Sequence, residues 1–265
     1  MKASAMEFRL RMWIQIVILV LGFWAPWSFW ASWNFWASWS FWTSWIGPLD
    51  LSRRYATLAW LALQLSRSGL ASFSVATAAV IVLGALAALV GAVLRVWGVA
   101  FLGYGVVHHG QMQGDAVTVA GPYRHLRNPL YVGGWFLFLA LALLMPPSGA
   151  LFTVVLATIH FLRLILGEEA FLAEKLGEPY REYLRAVPRL VPRLRSSLPA
   201  VAAKPRWLIA LGTELNPIGI FFTMAVLSWT YDNLLMIKAI LITFGLSLIV
   251  RALLPPGAPD TGDEK

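Results

Sequence analysis

The chain has 265 residues, 59% of them hydrophobic and only 13% charged, with a formal net charge of +8. A soluble domain carries about 25% charged residues, and the apolar excess here falls into runs approaching the roughly 20 residues a helix needs to cross a bilayer, which excludes an ordinary soluble globule. With no cysteine, disulfides, zinc–thiolate sites and thiol nucleophiles are excluded. The histidines, His108, His109, His125 and His160, lack metal-ligand spacing, so no metal is expected.

Residues 1–11 are short and basic, with Lys2, Arg9 and Arg11, and lead into an apolar run over 12–26. No small-residue cleavage site follows, so this run is expected to be retained as a first span. From Phe23 to Ile46 a six-residue unit recurs as FWAPWS, FWASWN, FWASWS and FWTSWI, placing tryptophan at every third position from Trp24 to Trp45. On a helix a three-residue step falls about 60° short of a turn, so these rings spiral and form no stripe. An aromatic anchor at the membrane interface is one reading. A tandem duplication in a tolerant outer loop is the favoured one, and no chemistry is assigned to it.

The segment 47–54 (GPLDLSRR) is a turn, followed by a short amphipathic piece to about residue 66. The apolar stretch 70–107, interrupted by Arg95, is too long for one span. Its crossing is expected over 72–94, with the helix continuing, tilted or interfacial, through Trp97 and Tyr104. The polar segment 108–128, with Gly110, Gly114, Gly121 and Pro122, reads as a loop. Two apolar helices, 130–145 and 150–166, flank Pro146-Pro147-Ser148-Gly149. Proline and glycine end helices, and so tight a connection makes the two antiparallel neighbours.

That hairpin tip is uncharged and both ends are rich in arginine, which puts the tip outside and the ends in the cytosol. Residues 168–187 are amphipathic, with Leu172, Leu176, Tyr180, Tyr183, Leu184 and Val187 on one side. Gly177 and Pro179 mark a break between two short helices. Residues 188–206 are extended and basic; 216–231 and 233–254 form a second apolar hairpin before a polar tail. Nearly half of the lysines and arginines lie between Arg163 and Arg206, as the positive-inside rule and anionic headgroups would have it. No nucleic-acid recognition motif accompanies them, so no such partner is expected.

The expected fold is therefore all-α, a polytopic transmembrane bundle of about six spans with both termini inside. This topology leaves Arg53, Arg54 and Arg67 outside; a Trp repeat that re-enters the membrane would raise the count. Three regions follow: 1–69, with the first span, the hexad repeat and an amphipathic segment; 70–195, a core around the hairpin 130–166; and 196–265, with a linker, the second hairpin and the tail.

Two segments place polar groups beside each other at the cytosolic face. One is the loop 121–133 (GPYRHLRNPLYVG); the other is Arg163 followed by Glu168-Glu169 at the end of the next helix. The hairpin between them returns the chain to the same face, and ionisable residues at such a position are functional candidates. Membrane anchoring alone is the competing reading, at even weight.

The run GPYRHLRNPLYVGG, then EEAFLAEKLGEPYREYLRAVPRLVP, resembles the isoprenylcysteine carboxyl methyltransferases and their phospholipid methyltransferase relatives. The shared pattern is matched at residues 121–133, at Glu168-Glu169, at 172–183 and at 188–192, with a looser match at Leu94-Arg95-x-Trp97 and Gly103-x-Gly105. The resemblance implies S-adenosylmethionine as cofactor, held at the cytosolic ends of the helices and covered by a C-terminal segment. It implies that Arg127, Asn128, Pro129 and Tyr131 line the cofactor pocket and that Glu168 and Glu169 contact its amino or ribose groups. Gly103 and Gly105 would let it approach the backbone. Arg163 is expected to pair with a carboxylate, Glu168's or a ligand's, and Tyr180, Tyr183 and Arg189 to shape a lid. Glu168, Glu169 and Arg163 are the candidates for a catalytic role.

The isoprenylcysteine branch usually has His where this chain has Asn128, which hydrogen-bonds but does not titrate near neutral pH. Asn-Pro-x-Tyr occurs in the phospholipid branch, so the departure bears on the acceptor more than on the cofactor. The implied function is methyl transfer to a membrane-embedded lipid or lipidated acceptor, isoprenylcysteine-like, with a phospholipid or isoprenoid acceptor as alternative. The implied location is a bacterial cytoplasmic membrane with the site facing the cytosol. A non-catalytic membrane protein keeping the fold, or a transporter, are readings of another class; the chain shows no inverted halves.

Overall fold

The computed structural model describes residues 2–24, 56–102, 119–196, 198–199 and 203–253, and the regular elements among them are all helical. The Trp repeat beyond Trp24, the segment 103–118 with Gly103 and Gly105, and the polar tail lie outside the described residues. The helices are α1 (Ala5–Arg9), α2 (Arg11–Trp24), α3 (Thr57–Arg67), α4 (Phe73–Leu102), α5 (Pro129–Ala142), α6 (Pro147–Leu176), α7 (Glu178–Ala186), α8 (Trp207–Thr213), α9 (Leu215–Val226) and α10 (Asn233–Leu253). Single 3-10 turns cover Gly121–Arg124 and Leu227–Thr230.

Among the described residues three helices are long and apolar enough to cross a membrane: α4 and α6, 30 residues each, and α10, 21 residues. The pair α8 and α9, bent by 67° at Glu214, makes a fourth if it is one broken span. The expected six is not confirmed among them. The expected spans over 12–26 and 130–145 correspond to α2 and α5, of 14 residues each. At 1.5 Å per residue these reach about 21 Å, short of a hydrocarbon core of about 30 Å. α5 ends at Ala142, three residues before its apolar run does.

The most extensive pairing is α4 against α5. It is close because glycines meet at the crossing: a Cβ on Gly91 would sit 2.8 Å from the Gly133 carbonyl oxygen, and one on Gly133 would sit 2.9 Å from that of Gly91. Small residues at a crossing let backbones approach where lipid offers no hydrophobic drive for association. Around this pair Ala88, Leu137, Ala140, Leu141, Met145, Ile220 and Met224 form the main core, joining α4, α5 and α9. A second cluster packs Phe8 and Ile18 against Phe138, Ala157, Phe161 and Leu164, which docks α1 and α2 on α5 and α6.

The break at 177 is as the residues dictate. Gly177 has φ +66° and ψ −139°, a conformation open in practice only to glycine. Pro179 lies in the first turn of α7, where its missing N–H costs nothing. Leu172, Leu176, Tyr180, Tyr183, Leu184 and Val187 do gather in one cluster, with Val119 and Leu198. This packing sets α7 and the chain after it over the ends of α5 and α6.

Candidate functional site

The 119–128 segment turns tightly before α5. Gly121 has φ +53°, and a Cβ there would lie 2.6 Å from Cγ of Phe101, so only glycine lets the turn press on the end of α4. Tyr123 is buried, and its carbonyl accepts a 2.9 Å hydrogen bond from the Tyr183 hydroxyl. The segment after α7 is laced onto the same turn. Arg127 N–H donates to Pro188 O at 2.9 Å, Arg193 N–H to His125 O at 3.0 Å, and Arg124 Nη2 to Leu198 O at 2.7 Å. His125 Nδ1 lies 2.8 Å from Arg193 O, and Ser196 Oγ donates to Arg124 O at 3.1 Å. Residues 188–196 and Leu198 are thus fastened across the 119–128 turn.

Beside this segment lies Glu169, 5% exposed and about two turns before the end of α6. Arg189 reaches it from the segment, Nη2 to Oε2 at 2.7 Å and Nε to Oε2 at 3.0 Å. Asn128 Nδ2 donates to Oε1 at 3.1 Å, and Arg127 Nη1 stands 3.3 Å from the same oxygen. Asn128 Nδ2 also contacts Arg189 O at 3.4 Å, tying segment and loop together. Arg127 Nε is buried with no hydrogen-bond partner among the described residues. Glu168, one position earlier on the helix and about 100° round it, takes its hydrogen bond from the Tyr131 hydroxyl and feels the charge of Arg11 from α2.

Burial, with the neighbouring Glu169 charge second, pushes the Tyr180 hydroxyl well above its ordinary range. Burial does the same to Tyr183, with Tyr180 next in effect, and to Tyr123, with Glu168 next. All three remain neutral at physiological pH and act as hydrogen-bonding walls rather than as bases. Arg189 is held more firmly protonated than usual, first by its hydrogen bond to Glu169.

Of the expected residues, Arg127, Asn128, Tyr131, Glu168 and Glu169 are brought together, with Pro129 buried in the first turn of α5. Arg163 is not among them. Five positions before Glu168 it faces α1, where Nη2 and Nε bind Glu7 at 2.8 and 2.9 Å. His160 Nδ1 lies 3.9 Å from the same carboxylate. Glu7 was legible only as the last member of a capping box, Ser4-x-x-Glu7; Ser4 Oγ does accept from Glu7 N–H at 3.1 Å. Hydrogen bonding from Arg163 is the main cause that holds the Glu7 carboxyl below its usual range.

A second ionic cluster was not anticipated. Glu214, fully buried at the break between α8 and α9, accepts from Arg95 Nε at 2.6 Å and Nη2 at 2.9 Å. Arg251 of α10 stands 3.7 Å from Oε1 and donates through Nε and Nη2 to Thr213 O at 3.0 and 2.9 Å. The signal was a lone acid inside an apolar run, which in a membrane segment is a functional flag. Among the described residues no three His, Cys, Asp or Glu side chains converge to hold a metal ion.

Residues 79–179 match the family model described as phospholipid methyltransferase. A methanethiol S-methyltransferase from Crocosphaera subtropica is 41% identical to this chain over 70 residues. That stretch is 26% of this chain and 27% of the relative, so the match spans about a quarter of the relative's length. No solved structure matches. The matched residues contain Arg95, Arg127, Asn128, Tyr131, Glu168 and Glu169 and leave out Arg189, Glu214 and Arg251.

Proposed function

We propose, from the match of residues 79–179 to the phospholipid methyltransferase family model, that the protein is an S-adenosylmethionine-dependent methyltransferase acting on a membrane-embedded acceptor. The observation that carries the reading is the Glu168-Glu169 pair closed over by Arg127, Asn128, Tyr131 and Arg189 near the end of a membrane-spanning helix. The donors suit such a cofactor. Two adjacent carboxylates accept from an ammonium and from ribose hydroxyls, and Arg127, with its buried unpartnered Nε, suits a carboxylate. Bound there, S-adenosylmethionine would supply a methyl group on a cationic sulfonium. The segment with Gly103 and Gly105 lies outside the described residues, and its approach to the cofactor is part of the proposal.

The chain's own contribution is placement. Methyl transfer is an in-line displacement, so orientation supplies much of the rate. The lid 188–198 excludes water, and transfer from a cationic donor disperses charge, which a dry site favours. A carboxylate acceptor needs no base. An amine or thiol acceptor must lose a proton, and Glu168, held by a single tyrosine hydroxyl rather than by paired arginines, is the group placed to take it. Arg163, seated on Glu7, has no part in this chemistry.

The finer reading of the acceptor is an isoprenylcysteine-like carboxylate or, through Asn128, a phospholipid or isoprenoid group. A second reading rests on the relative named for methanethiol: the acceptor is a thiol. The arginines of α7 and the segment after it, from Arg181 to Arg195, support a site on the cytosolic face of a bacterial inner membrane.

Membranes holding the protein are incubated with methyl-labelled S-adenosylmethionine, extracted into organic solvent and treated with base. Volatile label released by base identifies a methyl ester; base-stable lipid label identifies N- or C-methylation. Label volatile before base, appearing only with an added thiol, identifies S-methylation. Absence of label above a Glu169→Ala control, together with no cofactor binding by titration, refutes the enzyme reading.

A further inference from the structure

Glu214 lies outside the residues that match the family, yet it is the most deeply buried carboxylate described in the chain. A charge at membrane depth is costly, and such residues are kept for a role. One role is plain: to staple α8, α9 and α10 to α4. The position of Arg95 goes further. It lies one turn beyond Gly91, where α4 crosses α5. A Cβ on Gly133 would come within 2.9 Å of Arg95 Cγ, and one on Gly134 within 3.9 Å of its Nη1. Gly133 and Gly134 lie two and three residues after Tyr131 in the first turns of α5, so Arg95 packs on the stretch of helix that carries Tyr131, whose hydroxyl meets Glu168.

A guanidinium held at two nitrogens by one carboxylate is fixed in both place and rotation. We propose that Glu214 is a positioning residue of the methyl-transfer site. By fixing Arg95 against Gly133 and Gly134, it sets the first turns of α5, and with them Tyr131, against Glu168 and makes the C-terminal hairpin part of the working enzyme. This rests on the methyltransferase reading above.

The test separates positioning from stapling. Replacing a buried ion pair by apolar side chains of similar volume is often neutral or stabilising, so Arg95→Met/Glu214→Leu is made in the full chain. Thermal unfolding, its upward shift with S-adenosylmethionine, and methyl transfer are compared with wild type. The expected result is an unchanged unfolding temperature with kcat lower by about 10²-fold, the loss that a small misplacement causes. Unchanged transfer at an unchanged unfolding temperature means a staple and overturns the proposal.

If the double variant does not fold, Glu214→Gln decides. Its amide oxygen still accepts from Arg95, but without the charge that fixes the guanidinium. Positioning predicts a lower kcat with KM for the acceptor nearly unmoved; a staple predicts a lower unfolding temperature with the kcat of folded protein unchanged. A wild type that neither transfers methyl nor binds S-adenosylmethionine overturns the enzyme reading and this inference with it. An active wild type with equally active variants overturns this inference alone.

Discussion

Near the end of α6, Glu169 meets partners from a loop and a lid: Asn128, Arg127 and, from the lid, an Arg189 that is 41% exposed. Glu214 meets partners from two other long helices, Arg95 and Arg251, and is itself 0% exposed. The first cluster is a latch, because one of its cations stands on a segment with no regular structure and can leave without moving a helix. The second is fixed, because releasing it means separating α4, α9 and α10. A site that admits and releases a ligand, as proposed here, needs the first kind of contact at its mouth and the second at its base.

The widest gap between the two clusters is expected from removing each acid. Glu169→Ala should abolish cofactor binding and reduce methyl transfer by at least about 10²-fold; retained affinity in an isothermal titration would remove Glu169 from the site. Glu214→Ala should act first on the fold. Stripping one partner from a buried pair costs about 3–5 kcal/mol, read as a lower unfolding temperature of the purified chain. If Glu214→Ala unfolds no earlier than Glu169→Ala, the distinction between fixed base and releasable latch fails.

The latch was largely readable in advance and the base was not, for a physical reason. Glu168, Glu169, Arg127, Asn128 and Tyr131 sit in short runs whose spacing is set by one tight turn and one helix end, so local pattern carries their geometry. Gly177 and Pro179 likewise announce the break before α7 because each acts through its own backbone. Arg95 and Glu214 are 119 positions apart, and no local rule pairs them. Arg163 with Glu7, 156 positions apart, defeated expectation in the same way. The count of six spans is not confirmed among the described residues for another reason: α5 is apolar enough to cross, but it ends at Ala142, short of its apolar run.

A smaller effect is expected at the hinge of the lid. Tyr183→Phe removes the hydroxyl that donates to Tyr123 O at 2.9 Å and leaves that buried carbonyl without this donor, at a cost of about 1–3 kcal/mol. Because the bond joins α7 to the turn before α5, the loss should appear as faster amide exchange over 188–198 while α4 and α10 are unaffected. Equal acceleration in all three would mean that the lid does not open independently.

The smallest expected effect is at the N-terminus. The charged or titratable groups facing Glu7 are Arg163 and His160, both on α6. The bond from Arg163 holds the Glu7 carboxyl below its ordinary value of 4.5. A lowered carboxyl stabilises the docked state above that ordinary value, and the contribution is lost as pH falls through the lowered one. Docking of α1 should therefore be intact near neutral pH and weaken only on strong acidification. The chain has no cysteine, so a nitroxide on Met6→Cys, an exposed position on α1, reports this docking alone. Its spectrum should sharpen as pH drops below about 4, and with Arg163→Gln it should already be sharp at neutral pH. A pH transition that Arg163→Gln leaves in place and His160→Gln removes would move control of the N-terminus from Glu7 to His160.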